Sequence, residues 1–123
     1  RTGLSADGGA NTDTLDLRAS SSGTIALADF GSLSNFEKLD LSRDTTSTVL
    51  KVSVAGIQNL VDSGASSQLT LVLGNGVDDF FIDPDDAGSR FARYGANSVT
   101  FYANASDLAN NVNSVAKLSL QYL

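Results

Sequence analysis

The chain has 123 residues and a formal charge of −6, with 14 acids against 8 bases, so one domain with one core is expected and nucleic acid is not an expected partner. It contains no Cys, Met, Trp or His, which excludes disulfides, thiol chemistry, imidazole bases and the common zinc sites. Thirteen of the acids are Asp, a residue suited to turns and short-armed oxygen ligands rather than to helices.

No run approaches the roughly 18 apolar residues of a membrane span, so none is expected. The first residues, R-T-G-L-S-A-D-G-G, lack the charged-then-apolar pattern of a signal peptide. A start without Met inside a Gly/Asp-rich run predicts that residues 1–123 are one module of a longer chain.

Residues 3–12 form a turn-rich segment in which Gly8 and Gly9 can take positive φ. A strand is predicted at Asp13–Arg18, pointing Leu15 and Leu17 inward, and a second at Thr24–Ala28, pointing Ile25 and Leu27 inward. A loop follows, D-F-G-S-L-S, with Phe30 and Leu33 as its apolar plug. Ser34–Ser42 reads as a strand with Leu39 and Leu41 on the buried face and Lys38, Asp40 and Ser42 on the wet one. The next strand carries Leu50, Val52 and Val54. Leu15 to Leu39 is a spacing of 24 residues and Ile25 to Leu50 one of 25, the self-similarity of a coiled or repeated β architecture.

Ser53–Ser63 breaks the alternation. Ile57, Leu60 and Val61 at i, i+3, i+4 predict a helix of about two turns, with Ser53 as N-cap and Gly64 as its stop. Gly56 opposes it by roughly 1 kcal/mol of propensity. Strands are then predicted at Gln68–Leu73, at Phe80–Ile82 with Pro84 fixing its exit, and at Ser98–Ala103. The last is expected to turn Val99, Phe101 and Ala103 inward against Thr100 and Tyr102. Ser106 is expected to cap a short helix carrying Leu108 and Val112. Val115–Leu123 closes the chain with Leu118, Leu120 and Tyr122 on one face, and pairing of the chain ends would close a sheet.

Two stretches could hold a cation. Gly8–Asp16, G-G-A-N-T-D-T-L-D, matches the calcium-binding nonapeptide G-G-x-G-x-D-x-U-x at Gly8, Gly9, Asp13 and Leu15, with Asn11 in place of the third glycine. In that motif glycines turn carbonyl oxygens inward, the Asp adds a carboxylate and the apolar residue anchors the half-turn. Calcium takes 6 to 8 oxygens, so an adjacent turn must complete the shell. The alternative reading is an ordinary glycine turn ahead of a strand. Gly74–Ile82, G-N-G-V-D-D-F-F-I, echoes the motif, and Asp78, Asp79, Asp83, Asp85 and Asp86 crowd around Phe80, Phe81 and Ile82. Crowded carboxylates need a cation or a base beside them, and Arg90 and Arg93 are near enough in sequence to serve. An EF-hand does not fit there, because Ala87 and Tyr94 occupy ligand positions counted from Asp83. With no His, no acid, base and nucleophile set can be named, and no enzyme is expected. Asn104–Ser106 has the form of a glycosylation acceptor.

Taken together, G-G-A-N-T-D-T-L-D-L, G-T-I-A-L, S-N-F-E-K-L-D-L-S, T-V-L-K-V-S-V-A-G-I-Q-N-L-V-D-S and L-T-L-V-L-G-N-G resemble a segment near the C-termini of very large bacterial repeats-in-toxin (RTX) adhesins and related surface proteins. The resemblance covers residues 5–82. It implies type I secretion, a place outside the cell or on its surface, and calcium as the ion that drives folding there. By position it assigns calcium ligation to Gly8, to Asn11 through its backbone, and to Asp13. V-T-F-Y-A-N is similar to the family's short strand pair, while S-D-L-A-N-N-V-N-S looks like an insertion.

The expected fold is all-β, a parallel, solenoid-like stack of leucine-rich rungs with one or two short helices, and the alternative is a β-sandwich. The expected function is that of a noncatalytic spacer, cap or adhesion element, with other domains of the same long chain or a surface carbohydrate or protein ligand as partners. The alternatives are an accessory module of a secreted RTX enzyme, and a carbohydrate-binding module using Phe80, Phe81, Tyr94 and Tyr102 as platforms. Alternation places one of Phe80 and Phe81 inside and the other outside.

Overall fold

The computed structural model describes residues 6–7, 13–16, 23–27, 33–42, 47–62, 67–74 and 77–123. In chain order these form β1 (Ala6–Asp7), β2 (Thr14–Asp16), β3 (Gly23–Ala26), β4 (Leu33–Ser34), β5 (Lys38–Asp40), β6 (Thr48–Val52), α1 (Val54–Val61), β7 (Gln68–Leu73) and β8 (Asp79–Ile82). A 3-10 turn at Ala87–Ser89 leads to β9 (Phe91–Tyr94), β10 (Ser98–Tyr102), α2 (Ala105–Asn110) and β11 (Ser114–Tyr122). The protein is mostly β, in mixed and parallel sheets that do not close into a barrel.

From β1 to β8 no strand pairs with the one that follows it along the chain, whereas β9, β10 and β11 pair in succession. β1 pairs with β4, and β3, β6 and β8 form a second, wholly parallel sheet. The largest sheet has the order β2-β5-β7-β11-β10-β9, parallel from β2 to β11 and antiparallel from β11 to β9. The recurrences of the sequence reappear as strand partners. Leu15 lies opposite Leu39 and Ile25 opposite Leu50. Leu39 is in turn opposite Leu71, Leu71 opposite Leu120, and Leu50 opposite Phe80. Like side chains therefore stack in columns, and Leu39, Leu41, Leu50, Val52, Leu69, Leu71, Leu73, Phe101 and Leu118 are wholly buried in one core. Burying each such side chain contributes about 1.5–3 kcal/mol.

Ser34–Ser42 is not one strand. Asn35 takes φ 60 between β4 and β5, a left-handed corner that Asn tolerates better than most residues, and the alternation of Leu39 and Leu41 resumes after it. The Phe36 N–H then donates to the Leu60 carbonyl at 3.0 Å, tying this corner to α1. Ser53 caps α1 as expected, its Oγ accepting from the Gly56 N–H at 3.0 Å, and Ile57, Leu60 and Val61 are buried. The helix ends sooner than expected, because Asp62 rather than Gly64 takes the left-handed position, φ 60. Gly56 is required by contact: a Cβ there would stand 3.0 Å from Leu27 Cγ and 2.9 Å from Ser53 Oγ.

The last third departs furthest from the reading. β10 keeps a regular register with β9 through Tyr102, and the shift against β11 passes over Val115 of β11. Tyr102 is buried all the same, its hydroxyl bonded to Asn111 at the end of α2, and Ala103 is exposed, the reverse of the expectation. Asn104, not Ser106, caps α2, its Oδ1 accepting from the Asp107 N–H at 2.8 Å, and Val112 lies beyond the helix and exposed. Among the described residues the chain ends do not pair: β1 pairs with β4. β11 lies between β7 and β10, and β2 and β9 are the edges of the large sheet. Leu17, Phe30 and Gly64 lie outside the described residues.

Candidate functional site

Of the nonapeptide residues, Gly8 and Asn11 lie outside the described residues, while Asp13 stands just before β2. Its N–H donates to Glu37 Oε1 at 2.9 Å, and its carbonyl accepts from the N–H groups of Glu37 and Lys38, both at 3.2 Å. These bonds hold the start of β2 to the start of β5. The Asp13 Oδ2 is buried with no hydrogen-bond partner. A carboxylate oxygen withdrawn from water without a donor is costly, and a donor or a cation reaching it would relieve that cost.

The acidic stretch after β7 is arranged differently from a common pocket. Asp78 is buried and accepts two backbone N–H groups, Thr48 at 3.0 Å on Oδ1 and Gly74 at 2.8 Å on Oδ2. Its own N–H donates to the Gly74 carbonyl at 2.9 Å, closing a tight turn. Gly74 is needed there, since a Cβ would come within 2.9 Å of Asp78 Oδ2. Asp86 accepts from the Val54 N–H at 2.9 Å and from the Ser89 hydroxyl at 2.5 Å on Oδ2, and from the Gly88 N–H at 3.2 Å on Oδ1. It thereby serves the N-terminus of α1 and the 3-10 turn together.

Asp79 is exposed, and its Oδ1 accepts from the Phe80 N–H at 2.8 Å. Asp83 accepts from the Asp85 N–H at 2.9 Å, and its Oδ2 lies 3.8 Å from Lys51 Nζ. Asp85 is exposed. Asp78, Asp79, Asp83 and Asp86 thus accept from different backbone segments, and among the described residues no group of three or more acids could hold a metal ion.

Among the described residues no ion pair joins Arg90 or Arg93 to these acids. Arg93 donates to the Leu108 carbonyl at 2.5 Å, linking β9 to α2, and the base beside Asp83 is Lys51 of the neighbouring strand β6. Lys51 is the residue the sequence reading missed. Its signal was faint: a lone outward lysine in L-K-V, whose partner is chosen by strand stacking and not by distance along the chain.

Phe80 is half-buried against the core and Phe81 is 40% exposed, the split that alternation requires. Tyr94 is 66% exposed on the edge strand β9. Tyr102 is 2% exposed and gives its hydroxyl proton to Asn111 Oδ1, so it cannot act as a surface platform. Tyr122, 46% exposed at the end of β11, is a further surface aromatic. The side chain of Asn104, in the acceptor-like N-A-S, is engaged in the α2 cap. No protein-family model, curated protein or solved structure matched the chain.

Proposed function

We propose that the chain is a noncatalytic structural or adhesion module of a secreted, calcium-dependent bacterial surface protein, an RTX-adhesin-like spacer or cap wound as a parallel leucine-runged solenoid. The observation that carries this reading is the column Leu15, Leu39, Leu71 and Leu120, accompanied by the column Ile25, Leu50 and Phe80. A coil that returns to its starting face stacks each rung on the last and makes a stiff, extendable body. The antiparallel β10 and β9 flanking β11 suit a cap, because they end the parallel order on one side. Other domains of the same long chain, or a surface carbohydrate or protein, are the partners this role needs.

Calcium belongs to the proposal through Gly8, Asn11 and Asp13, and the unpartnered Asp13 Oδ2 supports it. Asp79, Asp83 and Asp85 keep carboxylates at or near the surface, whereas Asp78 and Asp86 are committed to backbone donors. Calorimetric titration of the purified chain with calcium is the test. Weak binding that Asp13→Asn abolishes, without turnover of glycan, ester or peptide substrates, supports the module. Turnover lost on substituting one of the acidic residues would overturn it.

Exposed Phe81 and Tyr94 favour a second reading, carbohydrate binding. Glycan binding lost in both Phe81→Ala and Tyr94→Ala would select that reading over the spacer.

A further inference from the structure

β8 is an outer strand of its sheet, and among the described residues no strand pairs with its far edge. In a parallel pair, backbone groups of alternate residues face the neighbour. The Asp83 N–H donates to the Val52 carbonyl at 2.8 Å, so Asp79 and Phe81, in step with Asp83, face β6. Phe80 and Ile82 therefore turn their N–H and carbonyl groups to the open edge. The Phe80 N–H is covered by the Asp79 carboxylate at 2.8 Å. D-F-F-I is also a strand-forming, aromatic sequence, and an open edge of that kind is a template for another strand.

We propose that the outer edge of β8 is a pairing site for a second copy of this chain, and that Asp79 keeps it shut. The edge is self-complementary. A two-fold axis at Phe81 sets β8 antiparallel to β8 of the second copy, with Phe80 opposite Ile82 twice, exchanging the outward-facing backbone bonds. The same axis sets the two exposed Phe81 rings at the close, non-hydrogen-bonded position, where aromatic pairs are favourable. It also sets Asp79 directly opposite Asp83 of the second copy, twice, and like charges so placed repel. Asp79 thus acts in two ways: it occupies the donor that pairing needs, and it adds the opposing charge. This inference rests on the edge geometry and is independent of the parent protein's role.

Sedimentation equilibrium on the purified full chain tests it, with folding verified by circular dichroism. Wild type is expected to remain monomeric, and Asp79→Ala to form dimers with an association about tenfold or more tighter. Asp79→Asn, which keeps an oxygen for the Phe80 N–H but loses the charge, is expected to lie between them. Asp79→Ala combined with Phe81→Lys should return to monomer. The proposal is overturned if folded Asp79→Ala associates no more than wild type, or if Phe81→Lys leaves its dimer intact. Should Asp79→Ala fail to fold, Asp79→Asn decides: tighter association than wild type supports the gate, and equal association overturns it.

Discussion

Asp78 and Asp13 are both acids at turns, yet one is saturated with donors and the other has an oxygen with none. Replacing Asp78 leaves the buried N–H groups of Thr48 and Gly74 without their acceptor, and an unmade buried hydrogen bond costs about 1–3 kcal/mol. Asp78→Ala is therefore expected to destabilise by about 2–4 kcal/mol, read as a lower urea midpoint with an unchanged slope. Asp13→Ala should leave the chain folded, within about 1 kcal/mol of wild type, because the bonds tying Asp13 to β5 are made by its backbone and the Oδ2 it loses has no partner. Unfolding on that single change, seen by circular dichroism, would mean that the carboxylate holds a ligand essential to the fold. From the sequence both residues read as candidate ligands. Residue type could nominate them, but the donors facing Asp78 come from Thr48 and Gly74, and only the folded chain brings Thr48 there.

At the scale of elements, α1 shows packing overruling propensity. In an isolated helix Gly56→Ala would stabilise by roughly 1 kcal/mol. Here the new methyl meets Leu27 and Ser53 at 3.1 Å or less, so a net loss of about 1–3 kcal/mol is expected, measured as a lower melting temperature. The helix itself was legible, since the Ser53 cap and the 57, 60, 61 spacing are local facts. Its stop was not, because Asp62 and a glycine two residues on compete for the same left-handed role. β7 was legible to the residue, because its alternate leucines all face the core. The end of β10 was not. Tyr102 is buried where its hydroxyl meets Asn111 at the end of α2, a partner nine residues on that no periodicity within the five residues of β10 encodes.

For the whole molecule, the columns predict a gradient of cost. Leu39 lies inside its column and is wholly buried, so Leu39→Ala is expected to lose about 2–5 kcal/mol. Leu15, half-buried at the end of the same column, should cost clearly less on the same change. Equal losses in parallel urea titrations would contradict that ordering. Calcium binding to the native state alone would add RT ln(1 + [L]/Kd), about 2.7 kcal/mol at a hundredfold excess. A modest rise in melting temperature at most is expected, with the chain still folded in chelator, because one nonapeptide supplies only part of the shell of about 6 to 8 oxygens.

The sequence by itself determined the β character, the core-facing leucines, the helix after Val52 and the recurrence that pairs Leu15 with Leu39 and Ile25 with Leu50. Those features follow from alternation, capping and spacing, which are written locally along the chain. Only the tertiary structure decided that β11 enters the large sheet between β7 and β10, that Tyr102 is buried, that Lys51 reaches Asp83, and that Asp78 and Asp86 serve backbone donors in separate segments. Each of those depends on which distant strand lies alongside, and neighbours of that kind are chosen by the packing of the whole core rather than by any short run of residues.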